Sequence, residues 1–358
     1  MTRKLVTRRT ITDIYEHPNA DALELARIDG WQVVVKRNEF LTGDDCIFFE
    51  IDSFLPADDD RFSFLAKSGV KKDESGRERI RLRTIKLRKE LSQGLALPVS
   101  LFPELPEQYD VDFSEELEVI KYERPEPVVA NAAGNFPSFI PKTDEDRIQN
   151  VWNRLASKYA DVQFVPTLKL DGSSCTVFHL GMGHSDRWKG ESHDVLHQGE
   201  KVAEVGVCSR KLQLKYDENS HFWKAVIDDG VIDSIKNMGD FAIQGEVMGP
   251  GVQGNKEKFN GYRFFAFALY DIDRGSYVPW EWAKDLLEYS GVPCVPVVAP
   301  PMYPFKEFSG VDEMLAFSDG PSINAKVREG IVWKSVGLDE PISFKSISNI
   351  YLLGGGDE

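Results

Sequence analysis

The stretch TLKLDGSSCTVF, residues 167–178, decides how this chain reads. Phe164, Val165, Leu168 and Leu170 surround a single lysine, Lys169, and Thr176, Val177 and Phe178 resume the apolar run after a polar turn. Runs of this kind, broken by Asp171, Gly172, Ser173 and Ser174, read as two strands joined by a tight connection. A lysine in such a segment is costly unless paired, because desolvation works against the ammonium. Two readings stand open here: a surface lysine on an edge strand, or an amine wanted in its neutral form as a nucleophile.

Downstream, further segments place charged or aromatic residues inside strand-like runs. VCSRKLQLK (207–215) holds Ser209 and Arg210, and FAIQGEVMGPGVQGN (241–255) holds Glu246. YRFFAFALYDI (262–272) contains Phe265 and Phe267, REGIVWKS (328–335) holds Glu329 and Lys334, and ISFKSISN (342–349) holds Lys345. Each alone is weak, since a lone Glu in a strand is usually an exposed face. GPGVQGNK (249–256) nearly matches the phosphate-binding loop G-x-x-x-x-G-K-[ST]. That reading is rejected, because Asn255 intervenes before Lys256 and Glu257 replaces the hydroxyl residue.

Composition sets the frame. The 358 residues suffice for two domains with their own cores, and 42% hydrophobic with 28% charged content is ordinary for a globular protein. No run of 18 apolar residues predicts a transmembrane helix, and the start MTRKLVTRRTITDIYEHPNA lacks the apolar core of a secretory signal. The four cysteines (Cys46, Cys175, Cys208, Cys294) form no C-x-x-C pair, which argues against zinc and predicts an intracellular, cytoplasmic setting. A net charge of −15 speaks against a non-specific nucleic-acid coat protein but not against a local basic surface.

Residues 1–105 read as all-β. WQVVVK (31–36), DCIFFEID (45–52) and RIRLRTIKLR (79–88) are short runs separated by turn signals, which suits a small barrel, most simply an OB-fold. HPNADALELARIDG (17–30) resembles the opening of tRNA-binding OB modules. Between 71 and 90 there are nine Lys/Arg against four Asp/Glu. Arg79, Arg81 and Arg83 alternate with Ile80 and Leu82, so the reading puts them on one strand face as a phosphate-contacting surface. Residues 106–135, rich in proline and acid, read as a linker. Beyond it, Thr143 and Asp146 resemble a capping box, with Ile148, Val151, Trp152 and Leu155 at helical spacing. From 136 to 358 the mixture of strands and helices predicts an α+β domain on antiparallel sheets.

In order, the segments resemble the motif series of the covalent nucleotidyltransferases, the superfamily of polynucleotide ligases and mRNA-capping enzymes. KLDGSS matches the nucleophile motif K-x-D-G, SR the next, GE the third, the aromatic strand its neighbour, EGIVWK the fourth and FKSIS the fifth. DNA ligases and capping enzymes carry an OB domain after the fifth motif, whereas 13 residues follow Lys345 here and the OB-like module lies in front. The whole chain therefore resembles the ATP-dependent RNA ligases with an N-terminal OB domain fused to the catalytic domain.

That resemblance implies an enzyme that joins a 3′-hydroxyl to a 5′-phosphate in RNA, with a nicked duplex as partner, through lysyl-AMP and RNA-adenylate intermediates. It implies ATP and Mg²⁺ or Mn²⁺ as cofactors and a monomeric protein. Lys169 would be the nucleophile, with Lys345, Lys334 and Arg210 assisting. Leu168, Glu246, Phe267 and Val332 would bind the nucleotide, Phe267 rather than Phe265 stacking on adenine. Asp171, Glu329 and Glu246 would serve the metal, and Arg79, Arg81, Arg83, Lys142 and Arg147 the RNA. One departure stands out: the fifth motif often has K-x-K, and here it is Lys345-Ser346-Ile347. Two alternatives stay open, a capping-type guanylyltransferase and an RNA-binding protein with a degenerate nucleotidyltransferase domain.

Overall fold

The computed structural model describes residues 3–123, 132–180, 196–197, 200–201 and 205–355. It divides into two compact units, residues 1–126 with 349–358, and residues 127–348.

The first unit is built from antiparallel strands. β1 (Val6–Thr10) pairs with β5 (Asp45–Phe49), which also pairs with β11 (Leu95–Pro98). β2 (Asp13–Glu16), β3 (Leu23–Ile28) and β4 (Trp31–Lys36) form a meander. β6 (Ser53–Pro56) lies between β8 (Glu78–Arg81) and β12 (Ile120–Lys121), with β7 (Val70–Lys72) beyond β8. β9 (Thr84–Leu87) and β10 (Glu90–Gln93) form a hairpin. β5 is buried on both faces: Ile47 and Phe49 enter one core cluster, Cys46 and Phe48 another. That explains its unbroken apolar run, since a strand covered on both sides has no polar face to alternate.

Three expectations need correction in this unit. The tract from 106 to 123 is not a bare linker, because Phe113, Leu117 and Val119 are buried in the same cluster as Leu5, Phe49 and Leu55. RIRLRTIKLR is two strands, not one. Leu82 breaks the run by exchanging backbone hydrogen bonds with Ser53 and Asp52, after which the chain turns into the β9–β10 hairpin. The three arginines do not share an open face. Arg79 is buried on Asp73, and Arg81 is paired with Asp52 at 2.6 Å and lies over the Tyr122 ring, while Arg83 alone is exposed. Arginines committed to carboxylates are structural ion pairs with little charge left for phosphate.

The hairpin tip is unusual. Leu87 stands opposite Glu90, so Arg88 and Lys89 form a two-residue turn, with φ of 49° and 79°. Such turns favour Asn-Gly, and each non-glycine residue in the left-handed region costs roughly 1 kcal/mol.

Among the described residues the second unit holds two larger sheets and a two-stranded one. β13 (Ala132–Asn135), β15 (Ser173–His179), β18 (Val205–Cys208), β19 (Leu212–Leu214), β20 (Phe241–Met248), β21 (Arg263–Asp271) and β22 (Ser276–Tyr277) form a seven-stranded sheet in the order β13-β19-β18-β15-β20-β21-β22. β14 (Phe164–Lys169), β23 (Gly330–Ser335) and β24 (Ser343–Ile347) form a three-stranded one, and β16 (Leu196–His197) pairs with β17 (Glu200–Lys201). On one face of the smaller sheet, Phe164, Ile331, Trp333 and Phe344 pack against Ile148, Val151 and Leu155 of α1 (Ile148–Tyr159) and Met314 and Leu315 of α6 (Val311–Phe317). The other α-helices among the described residues are α2 (His221–Asp228), α3 (Val231–Ile235), α4 (Trp280–Tyr289), α5 (Pro304–Glu307) and, in the first unit, α7 (Asn349–Leu353).

The apolar face of α1 is the one its spacing predicts, but the helix starts later than the Thr143/Asp146 pair suggests. Arg147 is its N-cap and makes no side-chain cap bond. The preceding backbone is claimed by β24: Lys345 N donates to Asp146 O, and Arg147 bridges to Lys345. Among the described residues no helix is long and apolar enough to cross a membrane. The four cysteines are free thiols.

Candidate active site

The K-x-D-G segment is the crossing point between the two larger sheets of the second unit. Lys169 is the last residue of β14, Ser173 opens β15, and Leu170-Asp171-Gly172 carry the chain from one sheet to the other. The crossing is tight. A Cβ on Gly172 would stand 2.4 Å from Val247 O, so only glycine fits. The same holds at Gly330, where a Cβ would meet Ser346 O at 2.3 Å. These contacts give the glycines of KLDG and REG a structural reason: they let the strands bearing Lys169, Glu246 and Glu329 approach.

Register then assembles the site. Lys169 pairs with Gly330, Val332 pairs with Thr167 and Lys345, and Lys334 pairs with Val165 and Ser343. Paired residues project from the same side of a sheet, and alternate residues along a strand do too. Lys169, Val332, Lys334 and Lys345 therefore share one face, opposite the face packed on α1. Ile347 stands on this face as well, across from Gly330. The position where the fifth motif often has a second lysine thus faces the site but carries a buried isoleucine.

Lys169 Nζ donates to Glu329 Oε1 at 2.7 Å. Burial acts to lower the amine's pKa, but the charges of Glu329 and Glu246, the bond to Glu329 and the charge of Asp171 outweigh it, and the lysine is held above its ordinary value. Apolar flanks alone therefore do not neutralise this amine. The opposite pressure falls on the acids. Burial pushes Glu246 up to about 8 despite Lys169 nearby, and Glu329 is raised for the same reason. Gly172 N donates to Glu246 Oε1 at 3.1 Å, tying the third motif to the first.

The donor chemistry suits a divalent cation. Three carboxylates offer hard oxygens around one cationic amine, and the buried Oε2 of Glu329 has no hydrogen-bond partner among the described residues. Among those residues no three His, Cys, Asp or Glu side chains gather closely enough to hold an ion directly.

The remaining residues divide. A bulge between Gln244 and Gly245 pairs Gln244 with Ala268 and Gly245 with Ala266, leaving Phe267 outside the ladder and half-buried. Bulges re-aim side chains. Phe265, by contrast, is a core residue beside Phe259. Lys334 is buried, donates to Phe267 O at 2.7 Å and lies 4.8 Å from the Trp280 ring centre, so its amine holds the bulge in place. Burial brings its pKa down to about 8. Leu168 points its side chain into the core, leaving only its backbone for a ligand, while Val332 is half-exposed on the site face.

Lys345 Nζ lies 3.4 Å from Asp144 Oδ1, and Arg210 Nη2 lies 3.8 Å from Asp144 Oδ2. Asp144, which the sequence reading did not single out, thus joins two of the expected cations. Arg147 bridges to Lys345 at the backbone, whereas Lys142 is exposed and lies over Phe136. The rejected loop supplies a further partner. Lys256 Nζ donates to Asp171 Oδ2 at 2.7 Å, and Glu257 accepts from the backbone of Asn324 and Ala325. No sequence signal pairs Lys256 with a residue 85 positions away.

Known RNA ligases resemble this chain over its whole length. The family model described as RNA ligase matches residues 162–347, and an OB-fold domain model matches residues 5–99. Among solved structures, Naegleria gruberi RNA ligase with pyrophosphate is 36% identical, with all of both chains covered and a TM-score of 0.80. A glutamate-to-alanine variant of that ligase with ATP and manganese is 36% identical, covering 99% of this chain and 100% of that one, with a TM-score of 0.80. A lysine-to-methionine variant with AMP and manganese gives the same identity and coverage and a TM-score of 0.81. No curated protein matches the chain.

Proposed function

The chain belongs to the RNA ligase family, with an N-terminal OB-fold domain and a nucleotidyltransferase domain on antiparallel sheets, and on that footing we propose that it seals 3′-hydroxyl/5′-phosphate breaks in RNA with ATP. The observation that carries this reading is the position of Lys169, at the crossing of two sheets, among Asp171, Glu246 and Glu329. We assign nucleic-acid holding to the first unit and the chemistry to the second.

In the first step the Lys169 amine attacks the α-phosphorus of ATP, forming a phosphoramidate and releasing pyrophosphate. The AMP then moves to the 5′-phosphate of the RNA, forming a pyrophosphate linkage and freeing Lys169. In the third step the 3′-hydroxyl attacks that activated phosphate and AMP leaves. Displacement at phosphorus builds charge on the non-bridging and leaving oxygens, and cationic side chains meet that charge. We assign this work to Lys345 and Arg210, a reading supported by their approach to a common partner, Asp144. Phe267, released from the ladder by the bulge, stacks on adenine, with Val332 beside it on the binding face. Lys334 positions Phe267 by holding its carbonyl.

Asp171, Glu246 and Glu329 would hold Mg²⁺ or Mn²⁺ through water. The ion, when bound, draws the charge of the carboxylates away from Lys169 and favours its neutral amine. Glu329 then accepts the proton-bearing side of the amine and orients its lone pair.

The test is a nicked RNA duplex with a labelled 5′-phosphate at the break. Incubation with ATP and Mg²⁺ should give a strand of full length, and Lys169→Ala should give none. Failure to join either this duplex or a single-stranded end would remove the sealing reading. The isoleucine at 347 is the one feature favouring a binding protein without catalysis, and that reading predicts RNA binding with no covalent nucleotide.

A further inference from the structure

Exposed cations of the N-terminal unit gather most densely on one hairpin. With Arg79 and Arg81 committed to Asp73 and Asp52, the segment 83–89 stands out, with Arg83, Lys86, Arg88 and Lys89 and no acidic residue. All four are exposed, and none has an ion-pair partner among the described residues. Lys86 makes only a 3.5 Å hydrogen bond to Leu353 O. Ile85 and Leu87 between them are also exposed, at 42% and 36%.

The hairpin is firmly mounted. Leu91, Ser92 and Gln93 of β10 are buried. Gln32 Nε2 donates to Leu91 O at 3.0 Å, Val34 N donates to Ser92 Oγ at 3.0 Å, and His17 Nε2 lies 3.2 Å from Leu87 O. Its tip is strained. Arg88 and Lys89 both hold left-handed backbone where Asn-Gly would sit without effort. Local stability does not explain two long cationic side chains there, and strain kept in place points to a use.

We propose that the β9–β10 hairpin is a finger that grips the phosphate backbone of the RNA, with Arg88 and Lys89 at its tip and Arg83 and Lys86 along its edge. The occupant follows from charge. Four cations with no ion-pair partner among the described residues outnumber the one carboxylate of the hairpin, Glu90, and on a protein of net charge −15 they complement a polyanion. Phosphate contact of this kind adds affinity without sequence preference. The inference rests on the RNA ligase reading.

The test is the double variant Arg88→Asn with Lys89→Gly, which removes both charges while supplying the dipeptide the turn favours. Its unfolding temperature should equal or exceed that of the wild type, which separates loss of charge from loss of fold. Its affinity for a fluorescent nicked RNA duplex, followed by anisotropy, should fall about tenfold at low salt. The slope of log Kobs against log salt should become shallower by roughly 1.8, since each phosphate contact contributes about 0.9. Arg83→Ala with Lys86→Ala should act in the same direction. Wild-type affinity and slope in both variants would overturn the finger and leave the ligase reading standing. A wild-type protein that binds neither the nicked duplex nor single-stranded RNA would overturn both.

Discussion

Glu329 Oε1 stands 2.7 Å from Lys169 Nζ although 160 residues separate them in the chain. The pairing is a product of register, because Lys169 lies opposite Gly330 and the preceding glutamate is brought over the amine. Glu329 is at once the partner of the nucleophile and, through its second oxygen, an open acceptor. Glu329→Ala should therefore slow lysyl-AMP formation by about 100-fold or more, the size expected when a preorganised charge is removed from a phosphoryl-transfer site. Single-turnover labelling with ATP measures it, and a near-normal rate would place Glu329 outside the machinery.

Lys256 competes for Asp171. It is a half-exposed ion pair, worth about 1 kcal/mol, and a divalent cation arriving at Asp171 must overcome it. Lys256→Met should then tighten Mn²⁺ binding by roughly fivefold, read from the free Mn²⁺ signal by electron paramagnetic resonance. Weaker binding would mean that Lys256 helps to build the site.

The two phenylalanines of β21 should behave differently. Phe267→Ala should raise the KM for ATP about tenfold with little change in unfolding, since base stacking contributes roughly 1–3 kcal/mol. Phe265→Ala should lower stability by about 3–5 kcal/mol, as core phenylalanines do. The reverse pattern would exchange their roles.

Sequence made the motif strands legible because each is local: a short apolar run, a turn and one charged residue. It also placed the OB-fold domain and the buried face of α1. What stayed hidden are pairings across the chain. Arg79 and Arg81 looked like a free basic face because nothing local marks Asp73 and Asp52 as their partners. Residues 106–123 looked like a linker because acidic and proline-rich composition masks three well-spaced core residues, Phe113, Leu117 and Val119. Lys334 reads as a pocket cation from its motif, and nothing local shows that its amine donates to the Phe267 carbonyl.

Lys334 also carries a pH signature. Burial lowers its pKa to about 8, with Glu145 and Cys294 the charged and titratable groups that raise it slightly. Between about 8 and the ordinary lysine value near 10.4, the unfolded chain binds the extra proton, so this residue's contribution to stability rises with pH across that window. Denaturant unfolding of wild type and Lys334→Met at pH 7.5 and 10 should show the wild type gaining on the variant, by on the order of 2 kcal/mol. A constant difference between them would mean that the amine is not desolvated.

The central claim is that Lys169 takes up AMP from ATP. Purified protein, stripped of bound nucleotide, is mixed with α-labelled ATP and Mg²⁺ and run on a denaturing gel beside Lys169→Ala. The account predicts a labelled band at 40.5 kDa, stable to alkali, lost in acid and absent from the variant. An unlabelled wild type, or equal labelling of the two proteins, would contradict it.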